Sequence, residues 1–304
     1  MAVQSVTAKI NGQIHTLTYN STSGKYEATI SAPSTSSYNN NAAHYYPVEL
    51  TVADDAGNST IVNDSHGSLG ANLKLKVKEK VKPTVAFTSP TADATIINSK
   101  PQITALLRDN DSGIDTASII LKVDNVAVPV VNINKSAVTG GYNIDYTPTS
   151  SLGDGNHTIS LQVSDNDGNQ CVATSNTFKV DTTPPVLSVT APTVGLVTNV
   201  AALTVTGVTN DATSSPTTVA IKLNNTDQGG VTVNGGTGAY SKAITLTQGM
   251  NTIEVTATDS AGKTTTITRT VELDTVAPVI SAVTITPNPV DCGATYIISV
   301  TATD

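Results

Sequence analysis

An all-β protein built from repeated β-sandwiches is what this sequence predicts, on three observations. Thr, Val, Ile, Ser and Asn dominate, and no apolar stripe of period 3.6 runs for three turns. A phrase of the form Val/Ala-x-Asp-x-x-Gly-Asn/Lys closes a strand-rich block three times. Its copies are AlaAspAspAlaGlyAsn at 53–58, SerAspAsnAspGlyAsn at 164–169 and ThrAspSerAlaGlyLys at 258–263. The aspartates of the phrase, Asp54, Asp165 and Asp259, lie 111 and 94 residues apart, which suits a small sandwich plus its linker. The 304 residues leave room for two or three such domains.

The first block covers 1–80 and is the most divergent. Strands are expected at 5–10, 13–19, 25–31, 47–53, 59–62 and 73–78, with Asn11-Gly12 as a hairpin turn. The block holds five of the nine tyrosines and a polar insert at 36–46. The second block, 81–181, has expected strands at 84–88, 102–107, 118–123, 142–146, 157–163 and 171–179. Ile159, Leu161 and Val163 alternate toward one face. The third block, 182–275, repeats this plan, with Ile253, Val255 and Ala257 at the same period. Residues 276–304 read as the opening of another unit. Two strands bury no core of their own, so the expectation is a sequence continuing past Asp304; the alternative is packing on the third block.

The linker ValAspThrThrProPro at 180–185 carries two prolines that restrict φ, and Pro184 steers Thr183 away from helical geometry. Short, stiff junctions of this kind predict an extended rod.

A net charge of -8 and a pI near 4.9 argue against nucleic acid or an anionic membrane as partner. The one basic cluster, Lys74, Lys76, Lys78, Lys80 and Lys82, reads as a strand with one wet face running into a linker. Cys171 and Cys292 fall in different blocks, so neither can staple a single sandwich. No run approaches 18 apolar residues, which predicts no membrane insertion. The first residues show no signal peptide. Release by lysis or assembly would explain this, as would a start set by a boundary within a longer protein.

Acidic residues gather at turns. Asp109, Asp111 and Asp115, and likewise Asp165 and Asp167, alternate with amide and glycine residues, a pattern able to surround Ca²⁺ with oxygen. The same residues suit Asx-turns that cap backbone amides. Asp181 and Asp274, beside the linkers, are placed either to complete an inter-domain site or to accept hydrogen bonds where a strand ends. His15, His44, His66 and His157 have no metal-ligand spacing, and His157 is expected at the surface. No nucleophile elbow, zinc-helix motif or phosphate-cradling loop is present, so no enzyme is expected. For glycan recognition the candidates are Tyr38, Asn39, Asn40, Asn41, His44, Tyr45 and Tyr46, which join rings to amide donors on one loop. The alternative is that Tyr46 packs as a strand residue and the asparagines form a solvated loop.

ThrAlaThrAspSerAlaGlyLys at 256–263, SerAspAsnAspGlyAsn at 164–169 and the ValAspThrThrProPro linker resemble the bacterial Ig-like domain families. The resemblance covers 81–275, partly 276–304, and the first block only through its AspAspAlaGlyAsn signature. It implies tandem immunoglobulin-like β-sandwiches. It also implies a non-catalytic structural or display role, as spacer or in attachment to cell-surface glycans or wall polymers, beside other virion or surface proteins, with Ca²⁺ bound by some members. The missing secretion signal turns the expectation toward a phage tail or baseplate. The alternatives are a bacterial cell-surface adhesin and an accessory region of a larger glycan-active enzyme. A secretion or sorting signal would distinguish the adhesin, a neighbouring tail gene the phage part, and a catalytic domain beyond Asp304 the enzyme.

Overall fold

The computed structural model describes residues 2–304 and divides into two compact units, one ending at Val180 and the other beginning at Asp181. Apart from three short 3-10 turns, the regular structure of the described residues is all strand.

In the first unit, residues 3–75 supply β1 (Val3–Ile10), β2 (Gln13–Asn20), β3 (Lys25–Glu27), β4 (Tyr46–Asp54), β5 (Ser59–Val62) and β6 (Lys74–Leu75). They form one sheet in the order β3-β2-β1-β4-β5, with β6 paired to β4. Asn11 (φ 49°) and Gly12 (φ 76°) make the expected two-residue hairpin between β1 and β2. Among the described residues of this block, the buried hydrophobic side chains are Val6, Ala8, Tyr46 and Leu73.

The lysine run differs from its expectation as a strand, because only β6 pairs within a sheet. Beyond it, residues 76–82 join no sheet, and other partners take up backbone groups of Val77 and Glu79. Ser37 N donates to Val77 O (3.0 Å), Val77 N to Ser37 Oγ (3.3 Å) and Glu79 N to Asp167 Oδ2 (3.0 Å). Alternating polar and apolar residues fit any extended segment with one covered side, paired or not.

The second module carries β7 (Thr84–Ser89), β8 (Thr95–Ile96), β9 (Ile103–Arg108), β10 (Ile114–Val123) and β11 (Val126–Ala127). It continues with β12 (Asn134–Val138), β13 (Gly141–Tyr146), β14 (Gly155–Asp165) and β15 (Thr174–Val180). One sheet runs β11-β10-β14-β15-β8 and the facing one β12-β13-β9-β7. Between them lie Ile103, Leu107, Ile119, Leu121, Ile159, Leu161, Val163, Phe178 and Val180, each at most 2% exposed. Each such side chain contributes roughly 1.5–3 kcal/mol by leaving water. The period-2 pattern of β14 is therefore what aims this core.

The second unit repeats the plan. Its strands are β16 (Val186–Ala191), β17 (Leu196–Thr198), β18 (Ala202–Asn210), β19 (Thr218–Leu223), β20 (Thr226–Asp227), β21 (Ala239–Thr245), β22 (Gly249–Thr258) and β23 (Thr264–Leu273). The sheets β20-β19-β22-β23-β17 and β16-β18-β21 correspond to those of the second module, including a short parallel pairing at one edge (β8 on β15, β17 on β23). Val205, Ile221, Ile253, Val255, Ala257 and Val271 are fully buried in its core. A hairpin, β24 (Val279–Thr286) and β25 (Ile297–Thr303), follows, and every residue of both strands is exposed. All-β tandem sandwiches are thus the observed fold class.

Two contacts make the packing testable. His157, expected at the surface, keeps only 12% of its side chain exposed. Its ring lies 5.7 Å from that of Phe178, Nδ1 is 2.7 Å from Asp124 Oδ2, and Nε2 is 2.7 Å from Gly153 O. Burial works against the imidazolium. The Asp124 carboxylate and the Gly153 carbonyl outweigh it and hold the pKa above its ordinary value. Stability from this pair is therefore fully present below the unfolded pKa of about 6.5 and is lost as pH rises through the folded value. Amide exchange at Ile159 and Leu161 should accelerate as pH rises above about 6.5, after correction for intrinsic exchange, and His157→Gln should remove that dependence.

Gly207 on β18 is required by close approach. A Cβ there would lie 2.0 Å from Ser188 O and 2.3 Å from Tyr240 Oη, which itself donates to Ser188 O at 2.8 Å. Gly207→Ala should cost about 1–3 kcal/mol in denaturant unfolding of the second unit. Gly235→Ala, with nothing within 4 Å of the added methyl, should be close to neutral.

Candidate functional site

The repeated phrase folds into one kind of turn in all three copies. The aspartate Oδ1 accepts the amides two and four residues on: Ala56 and Asn58 for Asp54, Asp167 and Asn169 for Asp165, Ala261 and Lys263 for Asp259, all at 2.8–2.9 Å. The glycine of each copy donates to the aspartate carbonyl and sits at φ 86°, 91° and 86°, the left-handed region that glycine adopts most easily. The motif is an Asx-turn that closes the strand before it.

Two of these turns bring further carboxylates together. In the second module, carboxylate oxygens of Glu79, Asp109 and Asp165 lie within 4.8 Å of one another. In the second unit the same holds for Asp181, Asp211 and Asp259. The positions are equivalent. Glu79 and Asp181 each stand five residues ahead of the first strand of their sandwich, β7 or β16. Asp109 and Asp211 each follow the next long strand, β9 or β18, and Asp165 and Asp259 open the repeated turn.

The second-module cluster is internally satisfied. Asn169 Nδ2 donates to Glu79 Oε1 (3.0 Å) and Asp165 Oδ2 (2.7 Å), and Ser112 Oγ donates to Glu79 Oε1 (3.2 Å). Burial, then the adjoining Asp165 carboxylate, pushes the Glu79 pKa up. Asp165 is held below the usual range because Asn169, Glu79 and the turn amides outweigh its own burial.

The calcium candidates from sequence therefore separate. Asp109 and Asp165 meet, joined by Glu79. Asp111 instead accepts Ser36 N through both oxygens (2.9 and 3.0 Å), Asp115 caps Ala117 N (3.0 Å), and Asp167 accepts Glu79 N. Asp181 belongs to the second cluster, whereas Asp274 accepts Val276 N (3.0 Å) and Gln248 Nε2 (3.3 Å) at its strand end. Glu79 and Asp211 were missed. Aligning the blocks on their first strands, as well as on the turn phrase, would have placed both.

The tyrosine loop is held by its own polar groups. A 3-10 turn, Ser37–Asn39, starts it with Ser36 Oγ accepting Tyr38 N. Tyr38 stacks on His44 with ring centroids 4.1 Å apart. Asn40 and Asn41 both donate to Tyr45 O (2.7 and 2.6 Å), and Asn39 donates to Asn110 O (3.3 Å). Tyr45 Oη donates to Asp64 (2.6 Å), which raises the tyrosine pKa, and Lys74 Nζ lies 5.1 Å from the Tyr45 ring centre. Tyr46 is buried on β4 with its hydroxyl 2.6 Å from Thr35 Oγ1. Of the seven recognition candidates, Asn40, Asn41 and Tyr46 line a cleft of about 560 Å³ together with Lys9, Glu49, Asn63 and Asp64.

Family models match three consecutive segments: a bacterial Ig-like domain over residues 2–67, a bacterial Ig domain over 83–161, and domain B of glucodextranase over 185–275. No curated protein matches the chain. Similar solved structures include a 1.5-MDa bacterial ice-binding adhesin, 18% identical with a TM-score of 0.34, covering 90% of this chain and 88% of that one. Fibronectin(III)-like modules of Clostridium thermocellum CbhA are 16% identical with a TM-score of 0.36, covering 62% of this chain and 94% of theirs. Latent PorU from Porphyromonas gingivalis is 14% identical with a TM-score of 0.30, covering 89% of this chain and 30% of that one. Likenesses at this level carry no argument about function. The strand topology is that of tandem all-β, Ig-like sandwich domains, and the matches to bacterial Ig-like models extend over residues 2–67 and 83–161.

Proposed function

We propose that the chain is a non-catalytic spacer array displayed on a bacterial cell surface, of the adhesin type. The observation that carries this reading is repetition. Two successive sandwiches each have their own aliphatic core, and each places the same three acidic positions where its leading segment meets two turns. What is built twice is a module with a fixed lead-in, which suits a structure made by adding units. The aspartates of both clusters are buried, and each gives one carboxylate oxygen to backbone amides of its own turn, which serves turn geometry. A virion tail would use the same modules, but no observed feature favours it over a cell surface.

A second reading, attachment to surface glycans, has one observation in its favour. The 560 Å³ cleft of the first block is rimmed by Asn11, Asn40, Asn41, Glu49, Asn63 and Asp64, amide and carboxylate groups of the kind that pair with sugar hydroxyls.

Antibodies raised against 1–304 should label intact cells of the source organism. Labelling confined to phage particles induced from those cells would overturn the surface reading. In parallel, saturable binding of the full chain to isolated wall glycans, weakened about tenfold by Asn63→Ala, would support the attachment reading. Absence of binding would leave the array as spacer alone.

A further inference from the structure

We propose that Asp181, Asp211 and Asp259, with the hydroxyl of Ser214, form a calcium site in the second unit. The three side chains belong to residues only 0%, 8% and 6% exposed, and their carboxylate oxygens lie within 4.8 Å of one another. That distance is about twice a calcium–oxygen bond of roughly 2.4 Å, so one ion can touch all three.

The backbone fixes one oxygen of each carboxylate. Asp181 Oδ1 accepts Thr183 N (3.2 Å), Asp211 Oδ1 accepts Thr213 N (2.8 Å) and Ser214 N (2.6 Å), and Asp259 Oδ1 accepts Ala261 N and Lys263 N. The remaining oxygens are the informative ones. Asp181 Oδ2 and Asp259 Oδ2 are buried without a hydrogen-bond partner, and so is Ser214 Oγ, on a residue with 0% exposure. Burying a carboxylate oxygen unpaired is costly, and placing three carboxylates together adds mutual repulsion. A hard divalent cation removes both costs at once.

The equivalent cluster of the second module shows what the second unit lacks. There Ser112, the counterpart of Ser214, donates to Glu79, and Asn169 donates to both Glu79 and Asp165. In the second unit Lys263 replaces Asn169 in the turn phrase, and Asp181 is one methylene shorter than Glu79. The asparagine donor that closes the first cluster is therefore missing from the second, and the Ser214 hydroxyl makes no hydrogen bond there, while the carboxylate oxygens remain. Oxygen-only ligands favour calcium or magnesium over softer metals. The choice of calcium follows from a site drawn from a leading segment and two loops, since magnesium demands near-ideal octahedral geometry and keeps most of its waters.

The test is calorimetric titration of the chelator-treated full chain with CaCl₂ and, separately, MgCl₂. One equivalent of Ca²⁺ should bind in this unit, half-saturating on the order of 0.1–1 mM, the range of extracellular modules. Asp181→Asn and Asp259→Asn should each weaken it about tenfold or more, while Asp165→Asn should leave this equivalent in place. Hydrogen exchange on the unsubstituted chain guards against variants that misfold: the Ser214, Ala261 and Lys263 amides should slow when Ca²⁺ is added. Unchanged exchange at those amides, or a calcium isotherm indifferent to Asp181→Asn and Asp259→Asn, would overturn the site. Magnesium binding as tightly as calcium would overturn its assignment to calcium.

Discussion

The carboxylate that folds back onto its own turn is the constraint on which this architecture depends. In the D-x-x-G turns one aspartate oxygen takes two backbone amides, and this lets the chain leave a long central strand and return along its neighbour without orphaned N–H groups. Once Oδ1 is committed in this way, Oδ2 is aimed wherever the turn aims it. In the two complete sandwiches it is aimed toward the segment leading into the first strand. A device that serves local turn geometry thereby gathers acidic residues from three separate parts of the chain.

The first block shows what happens when the core is thin. Its strands form a single sheet, and few of its apolar side chains are buried. Polar contacts hold it to the second module instead: the Ser36 amide on Asp111, the Lys78 ammonium on Asp167 O (2.8 Å), and the Glu79 amide on the Asp167 carboxylate. Bonds to charged partners contribute about 1.5–3 kcal/mol each, comparable with a buried aliphatic side chain. Asp111 and Asp167, which the sequence suggests as cation ligands, are thus spent on joining two blocks.

Much of the fold was legible because β-strands write their burial in period two. Ile159, Leu161 and Val163, and again Ile253, Val255 and Ala257, declare their inward face in sequence, and all six are fully buried. The Asn11-Gly12 hairpin was equally plain, since left-handed φ at two successive residues restricts the side chains that fit. The lysine run misled because a linker covered on one side has the same alternation as a strand. His157 misled because a polar residue near a strand's start reads as surface until Phe178 and Asp124 are placed beside it.

The sequence by itself determined the all-β class, the repetition of the sandwich and the turn that closes it, because these rest on contacts between residues close in the chain or on a periodic pattern. Only the tertiary structure decided which carboxylates meet. Asp181, Asp211 and Asp259 are far apart in sequence and share a site only because β16, β18 and β22 start or end at the same end of the sandwich. Whether their oxygens are partnered turns on donors as small as one serine hydroxyl and one asparagine amide. No spacing in the sequence encodes the position of those donors, since sheet pairing sets it.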